Sequence, residues 1–433
     1  MAAAFSDAKN HAFTLVVDCP VYVHVGSDIS RPIFVEDGTS VRFVGNGLFI
    51  TDNVFIPTWV IANSSQIDLR DWRVKYIGQL PVDPDTKGYV ANGTFVPMKG
   101  KYQPAGAFHD MILTPWLTAN RGIRFDRTSG TVTSPWPGPT GTSAVFYILG
   151  TTNSVKIDGM KIFVPERADG AHFVPVCFLT TVGFKSNQVI TAAVPIDANS
   201  AALPSEIEVS NLELDGTYMG WLGSLKSSHF RNIRSFRYGD LQDDEGENVG
   251  GVGKWFAPPH LFYITSPKFN DLRNSHLEIS GVLDWGQRVG VARDKHDANR
   301  SGYALSLKIS ASDSSVKDYT SYRPDGLLDL LPSERLVIDG LRGAYDSSFL
   351  NNIYPAVRFP VGPYHNVIIE NVEVEDRAQK ATIAPIGGIL DANSSNVTLR
   401  NVNAVLHSPA TAAARLPVFL GENHSIEIRI ESN

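Results

Sequence analysis

The chain has 433 residues, of which 43% are apolar and 19% charged, a composition that excludes a disordered chain and predicts a sizeable core. Its net charge of -7 argues against a nucleic-acid partner, because phosphate backbones are bound by clustered Lys and Arg. No apolar run reaches the length of a membrane-spanning helix, so we expect no membrane span.

The N-terminal segment reads MAAAFSDAKNHAF, in which no basic stretch precedes an apolar one, so no signal peptide is visible. We interpret residues 1–30 as a cap segment and residues 31–433 as one domain. Cys19 and Cys177 each lie in a strand-like run, which predicts two buried thiols that act as small hydrophobic residues. The alternative for this pair is a single disulfide.

A recurring sequence pattern runs through the rest of the chain: apolar-x-apolar, a small turn residue, then apolar-x-apolar again. IDLRDWRVKYIG (67–78) is the first copy, and VTLRNVNAVL (397–406) is a late one. The turn residues tolerate a left-handed backbone, and stacked Asn side chains can form a ladder. In chain order they are Asp71, Gly159, Asn211, Asn232, Gly281, Gly340, Asn371 and Asn401.

The spacing of these turns predicts a β-solenoid. It is 21 residues from Asn211 to Asn232 and 30 from Asn371 to Asn401. Short strands at a period of about 20–30 residues, without helical periodicity, are typical of stacked coils. The alternative is an antiparallel sandwich or barrel, which would place hairpin dipeptides at regular intervals. Asn-Gly, the example of such a dipeptide used here, occurs only at Asn46-Gly47 and Asn92-Gly93.

Two segments carry a family resemblance. RPIFVEDGTSVRFVGNGLFI (31–50) resembles the first coil of right-handed parallel β-helices of the pectate-lyase-like superfamily, and SNVTLRNVNAVL (395–406) is similar to their later coils. The resemblance covers most of residues 31–433 and implies an all-β, right-handed parallel β-helix. Members of that superfamily mostly cut or remodel acidic polysaccharides, and phage tailspikes share the architecture. We therefore expect a polysaccharide partner, a secreted or periplasmic protein, and a monomer or homotrimer.

Two stretches of the sequence do not follow the repeat pattern of the coils. Residues 79–142 are rich in Pro, Gly and aromatic residues, and residues 165–205 form a shorter candidate of the same kind. Stretches of this length are too long for simple connections and indicate ordered insertions. On a rigid scaffold such loops build the walls of a binding groove.

Polar residues gather in four clusters between residues 236 and 329, at intervals of about one coil. We predict that they lie on neighbouring rungs ~4.8 Å apart and form one polar stripe. FRYGDLQDDEGENVGGVGKWFAPPHLFY (236–263) is the first cluster. The four clusters supply Arg237, Tyr238, Asp240, Lys254, Trp255 and His260; Arg288, Arg293 and Lys295; Lys308; and Tyr322, Arg323, Asp325 and Asp329.

The stripe suits β-elimination on a uronate polymer. Such an enzyme must neutralise the substrate carboxylate and place a base on the C5 proton. Arg293 and Arg323 can hold a carboxylate bidentately, Lys254 and His260 are candidate bases, and Tyr238 can protonate the leaving oxygen. We predict the remaining members as substrate-binding residues: Arg237, Asp240, Trp255, Arg288, Lys295, Lys308, Tyr322 and Asp325.

Each catalytic candidate also has a structural interpretation. Lys254 precedes Trp255, as a solvated surface cation often does. His260 follows two prolines on an apolar strand entry, where a hydrogen-bonded core histidine is equally typical. Arg323 precedes Pro324-Asp325 and can close a turn through a salt bridge.

Metal dependence and two rival functions stay open at this stage. Asp240, Asp243 and Asp244 offer hard oxygen ligands for Ca²⁺, although a solvated acidic loop explains them too, and no other cofactor is expected. Asp243-Asp244 resembles the paired aspartates of β-helical polygalacturonases, and Asp240 with Asp325 could also serve a glycoside hydrolase. The other polygalacturonase signatures, Asn-Thr-Asp, Gly-His-Gly and Arg-Ile-Lys, are absent from the sequence. The third reading is a non-catalytic carbohydrate-binding or adhesive β-helix.

Overall fold

A computed structural model describes most copies of the recurring pattern and leaves several connecting segments out. The described residues are 2–23, 33–51, 58–77, 88–91, 94–97, 124–126, 131–133, 144–165, 176–181, 203–217, 219–238, 260–265, 274–288, 305–348, 355–360, 362–379, 383–388, 390, 392–407 and 424–432.

One helix and thirty strands make up the described part of the chain. The first are α1 (Ala2–His11), β1 (Thr14–Val17), β2 (Pro20–Val23), β3 (Ile33–Phe34), β4 (Ser40–Phe43), β5 (Leu48–Thr51), β6 (Trp59–Ala62), β7 (Ile67–Arg70), β8 (Arg73–Tyr76), β9 (Gly88–Ala91), β10 (Thr94–Pro97), β11 (Arg124–Asp126) and β12 (Thr131–Thr133). Then come β13 (Ala144–Leu149), β14 (Val155–Asp158), β15 (Lys161–Phe163), β16 (Val176–Thr181), β17 (Ile207–Asp215), β18 (Met219–Gly223), β19 (Lys226–Tyr238), β20 (Phe262–Ile264) and β21 (Ser275–Arg288). The last are β22 (Leu307–Ile309), β23 (Ser312–Ser321), β24 (Leu328–Leu330), β25 (Ser333–Tyr345), β26 (Val357–Phe359), β27 (Tyr364–Asp376), β28 (Ile386–Gly388), β29 (Ser395–Leu406) and β30 (Ser425–Ser432).

Two large sheets organise these strands. Sheet 1 follows the order β1-β4-β7-β14-β17-β19-β21-β23-β25-β27-β29-β30, with the short strands β2, β5, β8 and β15 in a second row that joins at β17. Sheet 2 follows β3-β6-β13-β16-β18-β20-β22-β24-β26-β28. Every described pairing in both sheets is parallel. The parallel β-helix is therefore confirmed, and the antiparallel sandwich is excluded.

Each coil combines a bent strand in sheet 1 with a short strand in sheet 2. In β17, Ile207 and Val209 are buried before the bend, and Leu212 and Leu214 are buried after it. Strict alternation would turn the second pair toward solvent. Asn211, with φ of 54°, resets the alternation so that both arms of the strand face one core.

All eight predicted turn residues have a positive φ, as expected. The predicted ladder is also present: the side chain of Asn401 donates to Asn371 at 2.6 Å, and that of Asn232 donates to Asn211 at 2.6 Å. A second left-handed residue, which the sequence did not reveal, lies five positions before the bend. The pairs are 66/71, 154/159, 206/211, 227/232, 276/281, 313/318, 335/340, 366/371 and 396/401.

Aromatic side chains stack inside the solenoid along sheet 2. The ring centroids of Trp59 and Phe146 lie 5.1 Å apart, those of Phe146 and Phe178 5.1 Å, and those of Phe178 and Trp221 4.8 Å. These spacings follow the ~4.8 Å rise between rungs. At the N-terminal end, Phe5 of α1 is buried with its ring 6.3 Å from Trp72.

The two predicted insertions contain regular structure. Within 79–142, β9 and β10 pair antiparallel on either side of Asn92-Gly93, and β11 pairs with β12. Within 165–205, β16 is a rung of sheet 2, paired with β13 and β18. That range therefore supplies part of the core as well as the connections around it.

The two cysteines have different environments. Cys177 is buried in β16, as predicted, and burial raises the pKa of its thiol to about 12. Cys19 is exposed, so the prediction of a buried thiol there was wrong. It lies between the short strands β1 and β2 at the end of sheet 1, where the stack of coils terminates. Both thiols are free, and no disulfide joins them.

Candidate functional site

A row of charged side chains lies on the outer face of sheet 2. Tyr263, Lys308, Asp329 and Arg358 occupy the same register position in the consecutive strands β20, β22, β24 and β26. Their neighbours in each strand point into the core, so these four point away from it. We call Lys308, Asp329 and Arg358 the charged column.

Ion pairs join the members of the charged column across the rungs. Lys308 Nζ lies 3.1 Å from Asp329 Oδ2, and Arg358 Nη1 lies 3.8 Å from Asp329 Oδ1. Lys308 Nζ also lies 4.9 Å from the ring centroid of Tyr263. Asp329 is only 1% exposed, so it depends on these two cations for compensation of its charge.

The charged column replaces an apolar one. On the preceding strands of sheet 2 the same outward position holds Val60, Tyr147, Leu179 and Leu222, all buried. Burial of Tyr147 raises the pKa of its hydroxyl well above the usual value. The change from apolar to charged residues occurs after Tyr263, at the level where the polar clusters of the sequence begin.

A second buried network lies where the strands of sheet 1 end. Asp284 accepts hydrogen bonds from Arg323 Nε and Ser306 Oγ, both at 2.5 Å, and from the Gly286 amide at 3.2 Å. Ser306 Oγ is 2.8 Å from the Tyr319 hydroxyl. Arg323 is 1% exposed and Asp284 is fully buried. Burial and the Asp284 charge raise the pKa of Tyr319, which keeps its phenol protonated.

His260 lies between the buried network and the charged column. Its Nδ1 donates a hydrogen bond to the Leu305 carbonyl, so the proton of the neutral ring is on Nδ1. Among the described residues, its buried Nε2 has no hydrogen-bond partner. Burial lowers the pKa of His260 well below its usual value, and the charges of Lys308 and Arg323 lower it further. His260 is therefore a neutral imidazole with an available lone pair.

The structure brings three of the predicted site residues together: His260, Lys308 and Arg323. The charges of both cations act on the pKa of His260, which places them in one electrostatic environment. Asp325 is also buried, two residues after Arg323 and at the entry to β24. The structural roles considered for two of these residues are also present: Arg323 is ion-paired, and His260 is a hydrogen-bonded core histidine.

Two further predicted residues lie on sheet 1. Arg237 binds Asp215 through Nε and Nη2 and the Val164 carbonyl through Nη2, and so it joins three consecutive coils. Tyr322 is 37% exposed, next to the buried Arg323 in the chain. Tyr238 and Arg288 are register partners at the ends of β19 and β21, and their side chains lie outside the description. Lys254, Arg293, Asp240, Trp255, Lys295, Asp243 and Asp244 lie outside the described residues, and their roles stay predictions.

The sequence reasoning overlooked Asp284 and Arg358. Each is a single charge within an apolar stretch, VLDWG and AVRFP, and a lone charge in a strand indicates a paired partner across the rungs. Asp329 in LLDLL carries the same signal. Within the described ranges, no three His, Cys, Asp or Glu side chains converge in a way that could hold a metal ion.

The fold and this site define the class: a parallel β-helix with a charged column on one outer face. A scan against models of known protein families finds no match, and a search among curated proteins finds none either. In the described part of the chain, no helix has the length and apolar character needed to span a membrane.

Proposed function

We propose that the protein is a polysaccharide lyase of the pectate-lyase-like superfamily, which binds an acidic polysaccharide along the outer face of sheet 2. The observation that supports this best is the charged column beside the neutral His260. A uronate polymer carries a carboxylate on each sugar, and Lys308 and Arg358, two rungs or roughly 10 Å apart, can bind carboxylates along such a chain.

The reaction is β-elimination. A base takes the C5 proton, the C5–H electrons form the C4–C5 double bond, the C4–O4 bond breaks, and an acid protonates the departing oxygen. Lys308 and Arg358 neutralise the substrate carboxylate, which acidifies the C5 proton. The lowered pKa keeps His260 Nε2 unprotonated, but the ring is fully buried, so His260 fits a positioning role beside the site better than direct contact with the C5 proton.

The sequence-predicted roles complete the proposal. Arg293 is a further carboxylate ligand, Lys254 the candidate base that contacts the C5 proton, and Tyr238 the acid. Arg323 is 1% exposed and held by Asp284, which favours a positioning role for it over direct contact with the sugar. Ca²⁺ at Asp240, Asp243 and Asp244 would add positive charge to the same groove.

The test is incubation with a panel of uronate polymers, followed by the ultraviolet absorbance of the unsaturated product. We expect absorbance with at least one polymer, and a loss of about 10²-fold or more in rate for Lys308→Met. Lys308→Arg, which keeps the charge, should retain part of the rate. Lys317→Met, on the exposed face of sheet 1, is the matched control and should leave the rate unchanged.

Other outcomes identify the rivals. New reducing ends without ultraviolet absorbance would indicate a glycoside hydrolase that uses an Asp pair. Binding without either signal would indicate a non-catalytic carbohydrate-binding or adhesive β-helix. A chelator that abolishes cleavage, with rescue by Ca²⁺, would support the calcium site. Light scattering would distinguish a monomer from a homotrimer, and export of the protein would test the secreted or periplasmic location.

A further inference from the structure

Trp285 and Tyr322 form an exposed stacked pair on neighbouring coils. Trp285 is 50% exposed and Tyr322 37%, and their ring centroids lie 5.6 Å apart at an interplanar angle of 25°. Trp285 directly follows the buried Asp284, and Tyr322 directly precedes the buried Arg323. The same two segments therefore bury an ion pair and expose two rings.

The backbone beneath the two rings is tightly held. The Tyr322 amide donates to the Asp284 carbonyl at 2.8 Å, and Arg323 Nε binds the Asp284 carboxylate. Gly286 has a φ of 64°, and a Cβ built there would lie 2.4 Å from the Arg323 amide nitrogen. Only glycine allows this close approach. The ring pair is thus preorganised, which lowers the entropy lost when a ligand binds.

The two rings are not exposed merely because they lie at an end of the solenoid, where the last coils have no neighbour to cover them. Among the described residues, the other exposed large apolar side chains are Phe13, Val16, Tyr22 and Ile426, all on or beside terminal strands of sheet 1. Trp285 lies in β21, in the middle of the stack. Tyr322 covers one face of its ring, and half of the side chain remains exposed, so part of the ring is accessible to a ligand.

Charged hydrogen-bond donors lie beside the aromatic pair. The guanidinium carbon of Arg377 is 5.9 Å from the ring centroid of Tyr322. Its Nε and Nη2 each donate to Glu375 at 3.2 Å, and a guanidinium carries five N–H donors, so further donors remain on Arg377. An apolar ring face next to such donors matches a sugar ring, which has a C–H face and a rim of oxygen atoms.

We propose that the exposed ring of Trp285 is a stacking subsite for one sugar ring of the bound polysaccharide, with Tyr322 as its support and Arg377, on the far side of Tyr322, as a donor to the next part of the chain. The identity of that polymer rests on the proposed function. The subsite itself lies on sheet 1, at the same coils as the Asp284–Arg323 pair, so a chain bound there continues past the candidate site.

The test is affinity electrophoresis in gels that contain acidic or neutral polysaccharides, together with steady-state kinetics on any polymer that is cleaved. Trp285→Ala should weaken retardation and raise KM about tenfold, with kcat unchanged, as expected for the loss of one aromatic contact. Trp285→Phe, which keeps a ring face, should restore most of the affinity. Tyr22→Ala removes a ring that is 54% exposed at the far end of the solenoid and is the matched control.

Unchanged retardation and KM in Trp285→Ala would overturn the subsite and leave the lyase proposal intact. Retardation that depends on Trp285 without any cleavage would support the subsite and overturn the lyase. If the wild-type protein shows neither retardation nor cleavage with any polymer, both proposals fail. Equal losses in Trp285→Ala and Tyr22→Ala would also overturn the subsite, because the effect would not be specific to this ring.

Discussion

The outer faces of the two sheets use charge in opposite ways. On sheet 1, pairs such as Arg335–Asp313 and Arg400–Glu370 join rungs through side chains that are largely exposed on the arginine side. On sheet 2, Lys308, Asp329 and Arg358 are nearly buried. The Asp284–Arg323 pair, where strands of sheet 1 end, is also buried and does not belong to either outer face. Exposed pairs are screened by water and contribute little, whereas a buried charge strongly depends on its partner.

This contrast separates charges that need a functional explanation from charges that do not. The charged residues on sheet 1 are exposed to solvent, and solvent exposure alone accounts for them. Buried ion pairs are often no more stabilising than apolar residues of the same size, so the charges on sheet 2 are poorly explained by stability alone. The apolar residues at the same position on earlier rungs show that this fold does not require charges there.

The largest expected effect is the loss of Asp284. Asp284→Ala leaves Arg323 buried without its carboxylate and should lower the free energy of unfolding by about 3–5 kcal/mol in urea denaturation. Asp313→Ala, which removes the exposed partner of Arg335, is the control and should leave the denaturation midpoint nearly unchanged. Equal effects of the two substitutions would refute the contrast between buried and exposed ion pairs.

The charged column allows a sharper version of the same experiment. Asp329→Leu alone leaves two cations facing an apolar residue and should cost about 3 kcal/mol. The triple variant Lys308→Leu, Asp329→Leu, Arg358→Leu recreates the apolar column of the earlier rungs and should return to within about 1 kcal/mol of the wild type. The triple variant should nevertheless have lost all cleavage activity. Recovery of stability together with activity would contradict a functional role for the column.

The bends of sheet 1 provide an intermediate effect. The Asn371 side chain donates to Asp339 at 2.7 Å and accepts from Asn401 at 2.6 Å, at a φ of 56°. Asn371→Ala removes both bonds and places an unfavourable residue in the left-handed region, at a cost of about 1–2 kcal/mol. Asn371→Gly keeps the backbone conformation and should cost less. If both variants unfold at the same urea concentration, the backbone term is negligible.

The smallest effect is a pH dependence from His260. Its folded pKa is well below the ordinary histidine value of 6.5 because the ring is buried, so the unfolded chain takes up the proton first as the pH falls. Stability is therefore complete above pH 6.5 and decreases below it by about 1.4 kcal/mol per pH unit, until the folded pKa is reached. His260→Asn, which keeps a donor for Leu305, should flatten this dependence. His11→Asn, at an exposed position, is the control.

The fold followed from the sequence because the bends are made by residues that favour a left-handed backbone, such as Asn371 and Gly159. The second left-handed position was hidden, since several coils fill it with residues that lack this preference, such as Glu206 and Arg335, and in the described coils Asn occupies it only at Asn366 and Asn396. Their conformation is imposed by the stacked coils above and below. A pattern search based on residue preference therefore finds one of the two bends.

The sequence predicted only some of the residues of the candidate site. Lys308, Arg323 and His260 were found because polar residues gather in their segments of the sequence. Asp284 was not, because its pairing with Arg323 spans 39 residues, and the register of the two coils is set by connections of irregular length. Arg358 is a coil beyond the last polar cluster, and only the parallel register of β24 and β26 brings it to Asp329.

The two left-handed residues of a coil are always five positions apart, so the segment between them has a fixed length, whereas the rest of the coil varies in length. Adding or removing one residue within the fixed segment would reverse the inward and outward positions of one arm of the strand and expose its apolar side chains to water. The rest of the coil has no such restriction, since stacked bend residues can be 21, 30 or 52 positions apart. Loops grafted from other solenoids at the entries to sheet 2 would thus change the ligand without disturbing the scaffold.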